Sequence, residues 1–204
     1  MNSLPLNWLL DFGLAGVAAT SLLEKFLPIL PSYVLFVFIG LATVDNALDL
    51  FRTVLMASLG STLGAAGWYF IGHVLGGSRC EDIIGRYGRF VFLRPELYHR
   101  LAAAYRRNHF WVTVIGQTIP TVRIYLALPA GILRLPLGSF LLATVIGTLA
   151  WNTPLIAIGY LLRDSGWDPV AAGIAVGLSM MGLELLVAFL VAYARRRSAG
   201  KQFS

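Results

Sequence analysis

Arg123 stands inside an apolar stretch that runs from Phe110 to Leu135, and it shares that stretch with Gln117, Thr118, Pro120, Thr121 and Pro129. A guanidinium is planar, stays protonated and presents a fork of donors that matches a phosphate or a carboxylate. At bilayer depth a charge of this kind costs roughly 3 kcal/mol or more. Such a cost marks a pathway, a binding site or a buried ion pair. Gln117 donates and accepts hydrogen bonds without charge, and Thr118 and Thr121 add hydroxyls. A second break lies in the run Glu24-Lys25-Phe26-Leu27-Pro28-Ile29-Leu30-Pro31-Ser32. Glu24 is the natural counter-charge for Arg123 if the two breaks meet, and a carboxylate there can also exchange a proton. Pro28, Pro31, Pro120 and Pro129 prevent continuous helix and free backbone groups. A half-helix start then offers N–H groups to an anion.

Two further polar residues lie in long apolar segments. Asn152, between Trp151 and Pro154, lines a cavity or bonds a neighbouring helix. Glu184 sits mid-way along the last segment, as a proton relay or a locally paired acid. The chemistry of soluble enzymes is missing: no HExxH, CxxC, P-loop or GxSxG sequence occurs. His73, His99 and His109 lack metal-ligand spacing, and Cys80 is a single cysteine. No catalytic residue, metal or cofactor is expected, and the chain reads as a non-enzyme.

The elements that must position these residues belong to a membrane protein. The 204 residues are 57% hydrophobic and 13% charged, against about 25% charge in a soluble domain. Residues 53–78 and 135–162 carry no Lys, Arg, Asp or Glu, and 169–194 carry only Glu184. Each exceeds the roughly 20 residues needed to span. The net charge of +6 comes from bases clustered between the apolar segments, so topology explains it and nucleic acid is not expected as a partner. No basic n-region precedes Lys25, and no cleavable signal peptide is expected. Residues 78–109 hold seven arginines, and the tail carries Arg195, Arg196, Arg197 and Lys201. Both belong on the cytoplasmic side. The short acidic loops at 45–50 and 163–168 suit the outer face.

Counting crossings leaves one segment too many. The loop at 78–109 is inside and that at 163–168 outside, yet 110–134 and 135–162 lie between them. Residues 110–134, with their prolines and polar groups, therefore enter and leave on one side. Broken backbone at this depth is tolerated only against protein or a water-filled cavity. By the same reasoning 26–44 dips in from the outside, while residues 4–23 span or lie at the interface. The fold class is an all-α polytopic membrane protein with two inverted repeats, each a re-entrant hairpin plus a transmembrane helix, flanked by N- and C-terminal helices. The chain is one domain over 1–204: a first repeat at 24–77, a cytoplasmic basic helical loop at 78–109, a second repeat at 110–162, a span at 169–194 and a tail at 195–204. Gly60 and Gly147 lie 87 residues apart, as do Gly72 and Gly159, and Pro31 and Pro120 lie 89 apart. Inverted repeats with broken helices place a transporter's site near the midplane.

Three runs taken together resemble the DedA family, also called SNARE-associated or VTT-domain proteins. They are Glu24-x-x-x-Pro28-x-x-Pro31-Ser32, Gly60-x-x-x-Gly64 continuing to Tyr69-x-x-Gly72, and Gly116-Gln117-Thr118-Ile119-Pro120-Thr121-Val122-Arg123 followed by Leu128-Pro129-Ala130-Gly131. The resemblance covers roughly residues 20–165. It implies opposed re-entrant hairpins and lipid translocation, with undecaprenyl phosphate or phospholipid as substrate, proposed proton coupling and a bacterial inner-membrane location. Two positions depart from the pattern: Tyr33 stands where the family has an acid, and Gln117 where it has an arginine.

The expectation is a flippase or scramblase in the bacterial inner membrane, multi-pass, with a cytoplasmic C-terminus. Arg123 binds the lipid phosphate with Gln117, Thr118, Thr121 and Asn152 around it, while Glu24 and Glu184 supply counter-charge or proton coupling. Membrane lipids are the expected partners, and a homo-oligomer is compatible with the pattern. Two alternatives use the same residues: a proton- or ion-coupled transporter of a small solute, and a non-transporting membrane assembly factor.

Overall fold

The computed structural model describes residues 12–27, 31–75, 95–123, 125–163, 166, 168, 171–179, 182–183 and 186, and no strand occurs among them. The helices are α1 (Leu14–Phe26), α2 (Ser32–Thr43), α3 (Ala47–Leu75), α4 (Pro95–Gln117), α5 (Pro120–Arg123), α6 (Ala127–Ile132) and α7 (Leu137–Leu162); residues 171–179 are also helical. Cys80, Pro28, Glu184, most of the basic loop, the tail and residues 1–11 lie outside the described residues.

Local chemistry sets the boundaries. Leu27, the residue before Pro28, leaves the helical region at φ −117 and ψ 80, as the residue before a proline tends to. Pro31 and Pro136 flank the starts of α2 and α7. Asn46 starts α3: its side-chain oxygen accepts from the N–H groups of Leu48 at 3.0 Å and Asp49 at 3.1 Å, the usual N-cap device. Asn108 breaks α4 with φ −159 and ψ 89, and its side chain accepts from the Trp111 N–H at 3.2 Å. The residues after Asn108 thus form a second, separately capped helix. After α6 the chain turns through Arg134 at φ 51, and the Leu135 N–H reaches back to the Ala130 carbonyl at 3.1 Å. The Tyr69 hydroxyl donates to the Leu135 carbonyl at 2.5 Å, tying that turn to α3.

α3 and α7 pack on each other at the centre. Twenty-nine and 26 residues long, they measure about 43 and 39 Å at 1.5 Å per residue, enough for a hydrocarbon core of about 30 Å. α1 packs on α3 and α4 on α7, while α2 lies on α7 and α6 on α3. α1 runs in the same direction as α3, with Ala18 over Gly60, Lys25 over Gly64 and Phe26 over Gly67. The second half of α4 runs alongside α7 in the same sense: His109 meets Ser139 at 3.0 Å and Gln117 lies over Gly147. In both cases the chain then returns to the start of the long helix. Gly72 lets the backbone of α6 approach at Leu128, and Gly159 lets that of α2 approach at Val37. A Cβ at either glycine would collide with backbone, which cannot yield.

The faces are inside out relative to a soluble protein. Toward the interior α3 turns Thr53, Ser58, Ser61 and Thr62, and α7 turns Thr144, Thr148 and Asn152. Outward they present Leu55, Leu59, Leu63 and Phe70, and Leu142, Val145 and Ile146. Exposed apolar belts on helices of spanning length need an apolar solvent. The expectation of an all-α membrane protein holds at that level. Of the expected last span, residues 171–179, 182–183 and 186 are described: Gly173 lies against Val34, and Gly177 against the ring of Tyr33.

Candidate functional site

The two sequence breaks meet between the long helices. α1 ends where its buried stripe of Val17, Thr20, Ser21, Glu24 and Lys25 reaches the break before Pro28. From the other side the four-residue α5 delivers Arg123. An Arg123 guanidinium nitrogen lies 3.6 Å from the Glu24 carboxylate. Both side chains are buried, Arg123 at 2% exposure and Glu24 at 8%. The Ser32 hydroxyl, across the first break, donates to the other Glu24 oxygen. The guanidinium carbon sits 5.0 Å from the ring centre of Trp151 and 5.8 Å from that of Phe36, in range for cation–π attraction. Arg123 is thus fixed by a carboxylate from α1, a ring from α7 and a ring from α2.

What Arg123 lacks is hydrogen bonds. Nε, Nη1 and Nη2 are all buried without a hydrogen-bond partner. The same holds for Glu24 Oε2, for both side-chain polar atoms of Gln117, for Lys25 Nζ, Asn152 Oδ1 and Trp151 Nε1, and for the hydroxyls of Thr53 and Ser61. Most buried polar groups in proteins are satisfied, and many here are: Thr20, Ser21, Thr62 and Thr144 each donate to a carbonyl of their own helix. The unmatched groups gather on α1, α3, α5 and α7 and at the end of α4. The unmatched donors on Lys25, Gln117, Arg123 and Trp151 outnumber the unmatched acceptors on Glu24, Gln117 and Asn152, and a surplus of buried donors is suited to an anion.

The expected site residues divide. Glu24 and Arg123 are brought together directly. Gln117 is buried at 1% exposure against Gly147. Asn152 is fully buried and donates to the Ser58 hydroxyl at 3.2 Å, so it joins α7 to α3 while its carbonyl oxygen stays unmatched. Thr118 is exposed, and its hydroxyl donates to the Ile115 carbonyl at 2.7 Å; it satisfies backbone at the end of α4. Pro120 and Thr121 are placed as backbone in α5, and Pro129 is buried within α6. Pro31 precedes α2. Among the described residues no group of three His, Cys, Asp or Glu side chains converges.

Sequence reasoning missed Lys25, Phe36 and Trp151. Lys25 is buried at 6% exposure, although it reads as an interfacial neighbour of Glu24. Its one signal was position, inside an apolar run with an acid before it. Phe36 and Trp151 gave none, because an aromatic residue in an apolar helix looks like any other core residue.

Lipid-facing long helices around a buried, cation-rich polar cluster define a helical membrane protein with an internal polar site. The VTT domain matches residues 30–161, well over half of the chain, and the chain belongs to that family. The resemblance to DedA proteins is thereby borne out. The chain is similar to the alkaline phosphatase-like protein of Lactococcus lactis subsp. lactis, with 31% identity covering 91% of this chain and 89% of the relative. It is also similar to undecaprenyl phosphate transporter A of Staphylococcus aureus, 29% identical over 94% of this chain and 93% of the relative. The protein of the same name in Bacillus subtilis is 25% identical, covering 81% and 79%. No solved structure matches. The relatives named as transporters accord with the expectation of a membrane transporter and a non-enzyme.

Proposed function

We propose that this protein moves a phosphate-bearing lipid across the bacterial inner membrane. The carrying observation is Arg123, a buried guanidinium that holds an ion pair and two aromatic contacts yet has no hydrogen-bond partner on any of its three nitrogens. Its donors match the oxygens of a phosphate. Two of the relatives are named for an undecaprenyl phosphate substrate, which favours a prenyl phosphate among lipid phosphates. The headgroup enters the polar cluster while the tail stays in lipid. Glu24 neutralises Arg123 between substrates and yields it to the incoming anion, directly or by taking up a proton.

The architecture proposed is two inverted repeats. α1–α2 forms a hairpin open to the outside, and the second half of α4 with α5 and α6 forms one open to the cytoplasm. The matched glycines support this reading. Gly60 and Gly147 each lie against the first arm of their own hairpin, while Gly72 and Gly159 each receive the second arm of the other. The C-terminus is then cytoplasmic.

The test is transport by the pure protein in liposomes. Accelerated loss of a short-chain prenyl phosphate from the outer leaflet supports the proposal. Flux of soluble anions alone, driven by a pH gradient, would replace it with a solute transporter. Movement of neither would leave an assembly role.

A further inference from the structure

One buried basic residue of the cluster takes no part in that cycle. Lys25 follows Glu24 in α1 and is buried at 6% exposure. Its stem lies against Gly64 of α3. Its backbone carbonyl accepts from the Trp68 indole N–H at 2.8 Å, and Trp68 stacks on Phe26 at 5.6 Å between ring centres. Its stem and its backbone are therefore both fixed on α3. Its ammonium has no hydrogen-bond partner, and the residue before it in α1 is Glu24, which pairs with Arg123. The Glu24 carboxylate already takes the Ser32 hydroxyl and pairs with Arg123. Two buried cations thus share one carboxylate, of which one oxygen takes the Ser32 hydroxyl and the other lies 3.6 Å from Arg123.

An ammonium buried without a partner is strongly unfavourable, and a mobile anion would relieve it. We infer that Lys25 is a second ligand of the anionic headgroup, gripping from the first break the same phosphate that Arg123 holds from the second. The inference rests on reading Arg123 as phosphate-binding. The two cations have different tasks. The planar fork of Arg123 takes two oxygens in fixed geometry, while the Lys25 ammonium is a point charge with three rotatable donors. A phosphate has oxygens enough for both. Held by groups from both breaks, the phosphate also joins the two halves of the molecule while it is bound.

The experiment titrates the full chain in detergent with dioleoyl phosphatidate, following tryptophan fluorescence, since Trp151 faces Arg123 and Trp68 bonds to Lys25. Lys25→Met keeps the stem on Gly64 and removes only the charge. It is expected to weaken binding at least about tenfold, the scale of one lost charged hydrogen bond. Lys25→Arg, which keeps the charge, is expected to remain within about threefold of the unaltered protein. Lys25→Gln is read in the same way should Lys25→Met fail to fold. Sodium phosphate in place of the lipid separates free phosphate from a lipid headgroup: a matching loss in both arms puts Lys25 on the phosphate itself. A folded Lys25→Met or Lys25→Gln protein that binds phosphatidate as tightly as the unaltered chain, while Arg123→Ala does not, overturns the role of Lys25 alone. Undiminished binding by Arg123→Ala overturns the phosphate reading beneath it.

Discussion

At the scale of residues, the centre is a charge cluster held from several helices. Glu24 is the acid that pairs with Arg123, so its loss leaves two buried cations without their carboxylate. Breaking a buried pair by removing one partner costs about 3–5 kcal/mol. Glu24→Ala is therefore expected to lower the unfolding temperature in detergent clearly, and added phosphatidate should recover more of that loss than it adds to the unaltered protein. Equal stabilisation of both would mean that no anion takes the carboxylate's place. Glu24 and Arg123 were legible in the sequence because charge in an apolar run is conspicuous. Lys25 was not, since a lysine beside a glutamate reads as a solvated neighbour until packing shows both buried. Thr118 lies in the same run, and its hydroxyl bonds the Ile115 carbonyl of its own helix end.

At the scale of elements, glycine spacing carries the close packing. Gly159 of α7 sits on the backbone of Val37 and beside Gly40 of α2, and a Cβ there would strike the Val37 carbonyl. Gly159→Val is expected to destabilise the protein by about 1–3 kcal/mol, the usual cost of overpacking. Gly138→Ala, where the added Cβ meets nothing within 4 Å, is the control expected to leave the unfolding temperature unchanged. A mild Gly159→Val phenotype would show that α2 does not depend on this approach. The long helices α3 and α7 were readable from uncharged length, and the breaks from prolines. The start of the proposed second hairpin was less so. The sequence places it at Phe110, whereas the backbone departs from helix at Asn108 and recaps there through the asparagine side chain. That boundary depends on a side-chain bond and leaves no mark in hydropathy. Which helix lies on which was not readable from single segments either; only the spacing of 87 residues hinted at it.

At the scale of the whole molecule, the proposal fixes which ends face which side. In a Cys80→Ser background, Asp45→Cys should react with an impermeant maleimide from outside intact cells. Arg107→Cys and Arg134→Cys, at exposed positions flanking the second hairpin, should react only after the cytoplasmic face is opened. Labelling of the two arginine positions from opposite sides would turn that hairpin into a span. The proposed transport rests on the central site. Liposomes holding equal amounts of folded protein would be compared for the movement of a short-chain prenyl phosphate between leaflets. Arg123→Ala is predicted to reduce the rate to that of protein-free liposomes, and Arg123→Lys to retain a minor fraction, because the charge stays while the fork is lost. Undiminished movement through the Arg123→Ala protein would contradict the account.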